Sequence, residues 1–175
     1  MLNVTRAVLP HMRARRSGVI ANFGSLGSWR GGPAFSNYAG TKWACSGISE
    51  SLHEELKPLG INCTVIEPGY FRTGFLNAGA RVQSAKVIDD YTNTAAGQVR
   101  NALTTVDNNQ PGDVVKGSRV IVDVLTKTGV AEGKDIPIRL VLGKDCVATI
   151  RQKCESTLAL LKEWEPVISS TDHDA

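Results

Sequence analysis

A chain of 175 residues, 42% hydrophobic and 21% charged, is long enough to bury one core and too apolar to be disordered. No stretch approaches the ~20 apolar residues of a membrane-spanning helix, so a cytoplasmic chain with no membrane partner is expected. The net charge of +3 is unevenly placed: residues 1–49 carry Arg6, Arg13, Arg15, Arg16, Arg30 and Lys42 and no acid, which leaves the remainder at −3.

An acid-free, Arg-bearing amino end imitates a transit peptide, but here it runs directly into a strand and a motif-bearing helix. With no interleaved aromatics and no binding motif, it predicts no nucleic-acid contact. Cys45, Cys63, Cys146 and Cys154 show no CxxC pairing and read as free thiols. His11, His53 and His173 have no ligand spacing, so no metal site is expected.

In chain order, residues 1–15 place Leu2, Val4, Ala7, Val8 and Met12 at helical spacing, and Pro10 is expected to kink or divide that helix. Gly18 then stops the basic run, and residues 19–23 read as a short buried strand. Residues 33–59 are the strongest helix, with Ala44, Ile48, Leu52 and Leu56 as an apolar stripe and Pro58 and Gly60 as its end. Residues 61–66 form the next strand, closed by Pro68 and Gly69.

Residues 74–110 are polar and rich in Gly, Ala, Asn and Thr, which predicts a mobile loop with one or two short helices. Pro111, Gly112 and Asp113 open a helix whose buried side is Val114, Ile121, Val124 and Leu125, ending at Gly129. Residues 136–142 read as a third strand, residues 145–164 as a closing helix and residues 169–175 as a frayed acidic tail. Alternation of helix and strand implies parallel strands with right-handed crossovers in an open α/β sheet covered on both faces. Ligands of such sheets bind beyond the carboxyl ends of the strands. The loops around Ser25 and Gly69 are therefore the first candidates.

Tyr38 and Lys42 stand at i and i+4, so both project from one face of the long helix. A free phenol is a poor proton carrier at neutral pH, and a neighbouring ammonium or a helix amino end favours the phenolate. A hydroxyl such as Ser25, at the end of the preceding strand, could hold a carbonyl or alcohol oxygen beside Tyr38. Alone, a Tyr-x-x-x-Lys is a common surface pair and a strand-end serine usually makes a turn. Together they describe proton transfer at an oxygen while hydride moves on the carbon.

The run from Gly18 to Ser25, followed by Pro33-Ala-Phe-Ser-Asn-Tyr38-Ala-Gly-Thr-Lys42, resembles the active-site block of short-chain dehydrogenases/reductases. Glu67-Pro68-Gly69-Tyr70-Phe71-Arg72-Thr73 resembles the family's Pro-Gly loop beside the nicotinamide, and the resemblance continues to the Trp164 region and the tail. It implies a partial Rossmann-like fold, with three parallel strands flanked by helices as the carboxyl-terminal part of a doubly wound sheet. The whole chain would be a single incomplete domain: residues 1–73 with the active-site helices and strands, 74–115 the substrate loop, and 116–175 the last helix, strand, helix and tail.

The resemblance further implies an NAD(P)-dependent oxidoreductase interconverting an alcohol and a carbonyl. Ser25, Tyr38 and Lys42 would be catalytic. Tyr38, Lys42, Pro68, Gly69, Phe71 and Thr73 would bind NAD or NADP, with NADP marginally preferred. Gly24 stands where many members have a second serine, a departure expected to matter little to the chemistry. The family's Gly-rich cofactor turn and its catalytic asparagine would fall before this chain, Asn3 lying in the right helix but not at that position. The first strand would then expose a hydrophobic edge, and stability would be marginal. A homo-oligomer through residues 1–15 and 33–58 is implied. The alternative is a catalytically inactive fragment or interaction module pairing with full-length relatives.

Overall fold

Residues along a strand point alternately to opposite faces, so a sheet with apolar side chains at both parities must be covered on both sides. The computed structural model describes residues 1–77, 79, 80 and 86–173. It joins β1 (Gly18–Phe23), β2 (Ile61–Pro68) and β3 (Arg139–Leu142) into one parallel sheet in the order β1-β2-β3. Ile20 stands opposite Cys63, Phe23 opposite Ile66, and Ile66 opposite Leu140. The helices in chain order are α1 (Leu2–Arg15), α2 (Ser36–Leu56), α3 (Ala95–Val106), α4 (Val114–Thr126) and α5 (Lys144–Ile168).

One parity gives one core. Ile20, Ile61 and Cys63 meet Leu56 of α2, with Leu9 and Met12 of α1 packed against them. The other parity places Ile66, Leu140 and Leu142 against Val120, Ile121 and Val124 of α4. The fold is thus the partial, Rossmann-like α/β sheet that the alternating pattern predicts. β2 is central and almost wholly buried, while β1 leaves Phe23 56% exposed beside an outer edge that no described strand pairs. No described helix is long and apolar enough to cross a membrane.

Several elements differ from the sequence reading. α1 runs unbroken through Pro10, which is exposed, as is Arg6, whose carbonyl it leaves without a helical donor. Thr5 is its buried residue, while Leu2 and Val4 are exposed. The stripe of α2 meets the core only at its carboxyl end, through Leu56 and partly Leu52. An i+4 row drifts by about 40° at each step around a 3.6-residue helix, which leaves Ala44 exposed and Ile48 and Leu52 half-buried.

The row that faces the sheet is instead Ala39, Lys42, Ser46, Ser49, His53 and Leu56, mostly polar and fastened by hydrogen bonds. Ser49 Oγ accepts from Asn22 Nδ2 of β1 at 3.0 Å, and His53 Nδ1 donates to the Cys63 carbonyl of β2 at 2.8 Å. Val114 is 45% exposed, and Gly117 is the buried residue of α4.

β3 begins only at Arg139, because Pro137 has no N–H for a ladder; its carbonyl accepts from Thr64 Oγ1 at 2.6 Å. α5 continues past Trp164 to Ile168, and residues 169–171 form one 3-10 turn of the expected tail. Within the expected substrate loop the structure has 3-10 turns at Gly74–Leu76 and Asp89–Tyr91, then α3. Residues 78 and 81–85 of that loop, and 174 and 175 of the tail, lie outside the described residues.

Candidate active site

Three parallel strands bring their carboxyl ends to one edge, where open α/β sheets hold their ligands. β1 leaves that edge into a loop opened by Ser25, whose extended backbone (φ −175°) caps the 3-10 turn Leu26–Ser28. Ser25 Oγ accepts from the Gly27 amide at 3.0 Å, and the Ser25 amide donates to Ser28 Oγ at 3.2 Å. Ser28 Oγ then donates to the Lys42 carbonyl at 2.9 Å, which ties the loop to α2.

Tyr38 lies in the first turn of α2 and Lys42 one turn later. Tyr38 Oη donates to Ser25 Oγ at 3.0 Å. Lys42 Nζ donates to the Phe23 carbonyl at 2.9 Å and stands 5.7 Å from the centre of the Tyr38 ring. A Cβ at Gly27 would come within 3.0 Å of the Tyr38 ring, so glycine lets the ring lie along the loop. Ser25 is buried, and Tyr38 and Lys42 are half-buried. Because Ser25 Oγ accepts from both Gly27 and Tyr38, its own hydrogen is free to be donated elsewhere.

The loop after β2 is pinned to β3 and α5. The Gly69 amide donates to the Leu142 carbonyl at 2.8 Å and the Tyr70 amide to Asp145 Oδ2 at 2.6 Å. A Cβ at Gly69 would overlap the Asp145 carboxylate, so this close approach requires glycine. Phe71 turns its ring to the α4 side, against the Ile66–Leu140–Leu142 core and the bare backbone of Gly112 and Gly117. That is the opposite side of the sheet from α2, which carries Tyr38 and Lys42. Thr73 Oγ1 accepts from the Phe75 amide at 3.3 Å, and the turn it caps carries Phe75 to 6.1 Å from Tyr38, ring centre to ring centre. Phase-free spacing rules do not find Phe75; the only signal is an aromatic two residues beyond Thr73 in a polar segment.

Sequence reasoning also passed over Glu67, which is completely buried at the end of β2. Its Oε1 accepts from Ser46 Oγ of α2 at 2.7 Å and from Arg139 Nη1 of β3 at 2.6 Å. Its Oε2 accepts from Trp29 Nε1, at the end of the Ser25 loop, at 2.7 Å. Arg139 lies over the Trp29 ring at 4.3 Å and donates through Nε to Glu50 Oε1 at 2.7 Å. Gly24 is part of the same packing: a Cβ there would stand 2.8 Å from Val65 Cγ2 and 3.0 Å from both Glu67 Cγ and Ser28 Oγ. The departure at Gly24 therefore matters sterically, whatever its weight in the chemistry.

The cysteines divide by burial. Desolvation pushes the Cys146 thiol up to about 12, with Glu67 and Asp145 adding to it, and Cys63 up to about 11, with Cys45 adding. Both stay protonated near neutrality and supply no thiolate nucleophile.

Residues 1–84 match the family model described as short chain dehydrogenase. The chain is 33% identical over 161 residues to oxidoreductase BOA17 of Botryotinia fuckeliana, covering 92% of this chain and 56% of that protein. The crystal structure of a short-chain dehydrogenase from Streptomyces avermitilis superposes with a TM-score of 0.80 at 36% identity, over 96% of this chain and 57% of that one. A short chain dehydrogenase/reductase from Burkholderia phymatum, solved with NAD, is 16% identical with a TM-score of 0.66, a likeness of fold, over 89% of this chain and 53% of that one. The chain thus spans a little over half the length of these relatives.

Proposed function

The chain belongs to the short-chain dehydrogenase family, and on that premise we propose that Ser25, Tyr38 and Lys42 carry out the proton transfer of an NAD(P)-linked alcohol–carbonyl interconversion. The observation that carries the proposal is the 3.0 Å bond from Tyr38 Oη to Ser25 Oγ with the Lys42 ammonium alongside. Ser25 donates its free hydrogen to the substrate oxygen and holds it beside the phenol. As charge builds on that oxygen during reduction, Tyr38 gives up its proton, and in oxidation it takes the proton back. Lys42 brings its ammonium alongside, 5.7 Å from the centre of the Tyr38 ring.

The residues fit the nicotinamide-ribose end of such a cofactor. Lys42 keeps two ammonium hydrogens beyond its bond to the Phe23 carbonyl, and no carboxylate among the described residues pairs with it. Lys42 and Tyr38 would hold the ribose hydroxyls and Thr73 the carboxamide, while Pro68 and Gly69 set the course of the loop. Phe71 supports that loop from the α4 side. When bound, the cofactor supplies or removes the hydride at the substrate carbon. A homo-oligomer through α1 and α2 belongs to the same proposal, supported by Leu2, Val4 and Trp43 remaining exposed on those helices.

Titration of the chain with NADH and with NADPH, read by nicotinamide fluorescence, tests cofactor binding and separates the two. A panel of small carbonyl compounds, followed by loss of absorbance at the reduced nicotinamide band, then tests turnover. Tyr38→Phe is expected to keep the fluorescence response and lower turnover by about 100-fold or more. A wild-type chain with neither response, or a Tyr38→Phe variant with unchanged turnover, refutes the proposal.

A further inference from the structure

Three parts of the molecule must be held in register for Tyr38 to meet Ser25: the loop after β1, the amino end of α2, and the sheet beneath them. The helix is tied directly to the sheet by Ser49 to Asn22, His53 to the Cys63 carbonyl and Lys42 to the Phe23 carbonyl. The loop is held to the helix by two hydrogen bonds among the described residues, Ser28 Oγ to the Lys42 carbonyl and Tyr38 Oη to Ser25 Oγ, and the second is the one whose length matters. The Glu67 carboxylate touches all three parts at once. Through Oε2 it holds Trp29 of the loop, and through Oε1 it holds Ser46 of α2 and Arg139 of β3.

Arg139 extends the reach of this group. Its guanidinium covers the Trp29 ring at 4.3 Å and also holds Glu50, one helical turn beyond Ser46. Lys42, Ser46 and Glu50 stand at successive i+4 positions of α2, so its amino half is fixed at three consecutive turns. A buried ion pair is weak evidence for stability, because removing both charges from water offsets their attraction. What such a pair supplies well is direction, through several short, charge-assisted hydrogen bonds.

We propose that Glu67, oriented by Arg139, is a positioning residue of the Ser25–Tyr38 pair. It sets the donor–acceptor geometry by clamping Trp29 to Ser46, and it touches neither substrate nor cofactor. This rests on the oxidoreductase reading above for its catalytic consequence, but not for its geometric one. Gln at position 67 keeps the shape, but its amide nitrogen must face either the Trp29 indole N–H or the Arg139 guanidinium, both of which donate. One of the three ties must then lengthen, and an error of this kind is transmitted to the Ser25 loop.

The test uses the full chain carrying Glu67→Gln, read in two ways. In turnover, kcat is expected to fall about 100-fold with KM little changed, the signature of misplacement and not of lost binding. Without turnover, the Tyr38 ring is followed by the NMR resonance of its labelled Cζ. Ser25→Ala shifts that resonance in the otherwise wild-type chain, and in the Glu67→Gln background the shift is expected to be largely abolished. If the wild-type chain shows no activity, the functional reading fails while the NMR comparison still decides this one. A Glu67→Gln chain that melts earlier but keeps kcat, or keeps the full Tyr38 response to Ser25→Ala, overturns the proposal. Should Glu67→Gln not fold, Trp29→Phe removes the indole donor together with the five-membered ring, leaves a phenyl ring beneath Arg139, and is held to the same two outcomes.

Discussion

Placing a single methyl group at Gly24 probes the packing beneath the active-site loop directly. The new Cβ would stand 2.8 Å from Val65 Cγ2, 3.0 Å from Glu67 Cγ and 3.0 Å from Ser28 Oγ. None of the three can retreat easily. Val65 and Glu67 are fully buried, and Ser28 Oγ is engaged by the Ser25 amide and the Lys42 carbonyl. Gly24 has no positive φ, so alanine meets no backbone strain there and the penalty is one of volume alone. Overpacking of this kind costs about 1–3 kcal/mol. Restricting the unfolded chain returns about 0.4–1 kcal/mol, so mid-range values of about 2 and ~0.7 kcal/mol leave a net loss of about 1.3 kcal/mol. At about 2–4 °C per kcal/mol for a chain of this size, melting should fall by about 3–5 °C. Gly31→Ala is the matched control, since its Cβ meets nothing within 4 Å, and it is expected to melt at or slightly above the wild type. Circular dichroism melting curves of the two variants side by side decide the matter. A Gly24→Ala chain as stable as Gly31→Ala would show that the carboxylate and its neighbours yield freely, and would refute the close packing described for Glu67.

Asp113 caps α4, accepting from the Val115 and Lys116 amides, and those bonds, that of Lys116 foremost, hold its carboxyl below the usual carboxylate value. A depressed carboxyl contributes stability above its unfolded value and loses it as pH falls through the folded one. Asp113→Asn, which keeps the cap and removes the charge, should therefore be less stable than wild type at neutral pH, with the gap closing on acidification. Melting curves across the acid range that show a constant gap would contradict this. Thiol reactivity should follow burial. Ellman's reagent is expected to modify exposed Cys154 first and half-buried Cys45 more slowly, while Cys63 and Cys146 react only after unfolding in denaturant.

The order of elements was legible because each strand is a short apolar run bounded by Gly or Pro, and because Pro33 and Gly60 bracket the long helix. Ser25, Tyr38 and Lys42 were legible because one local helix spacing and one strand end suffice to bring them together. Glu67, Arg139 and Trp29 were not. They meet across separations of 38 and 72 residues, and no periodicity relates a strand-end acid to an arginine on a different strand. Phe71 illustrates a further limit. Its place in the loop was evident, but which way its ring turned depended on Gly112 and Gly117, whose lack of side chains opens a slot only once α4 has docked. The stripe Ala44, Ile48, Leu52 and Leu56 was right only at its carboxyl end: the row winds around the helix and reaches the core at Leu52 and Leu56, while serines occupy the seam before them.

That seam has a consequence for how the helix could be altered. Oily contacts tolerate sliding, since one methyl serves nearly as well as another. A row of Ser46, Ser49 and His53, each with its own named partner on the sheet, tolerates none. Advancing α2 by a single turn, about 5.4 Å, would strand every one of these groups away from water and from its mate. The helix therefore behaves as a toothed bar in a fixed lock, and its amino end arrives at one position only. An engineer who replaced the serines with leucines to gain stability would free the bar to move, and the tyrosine at its tip would lose its address.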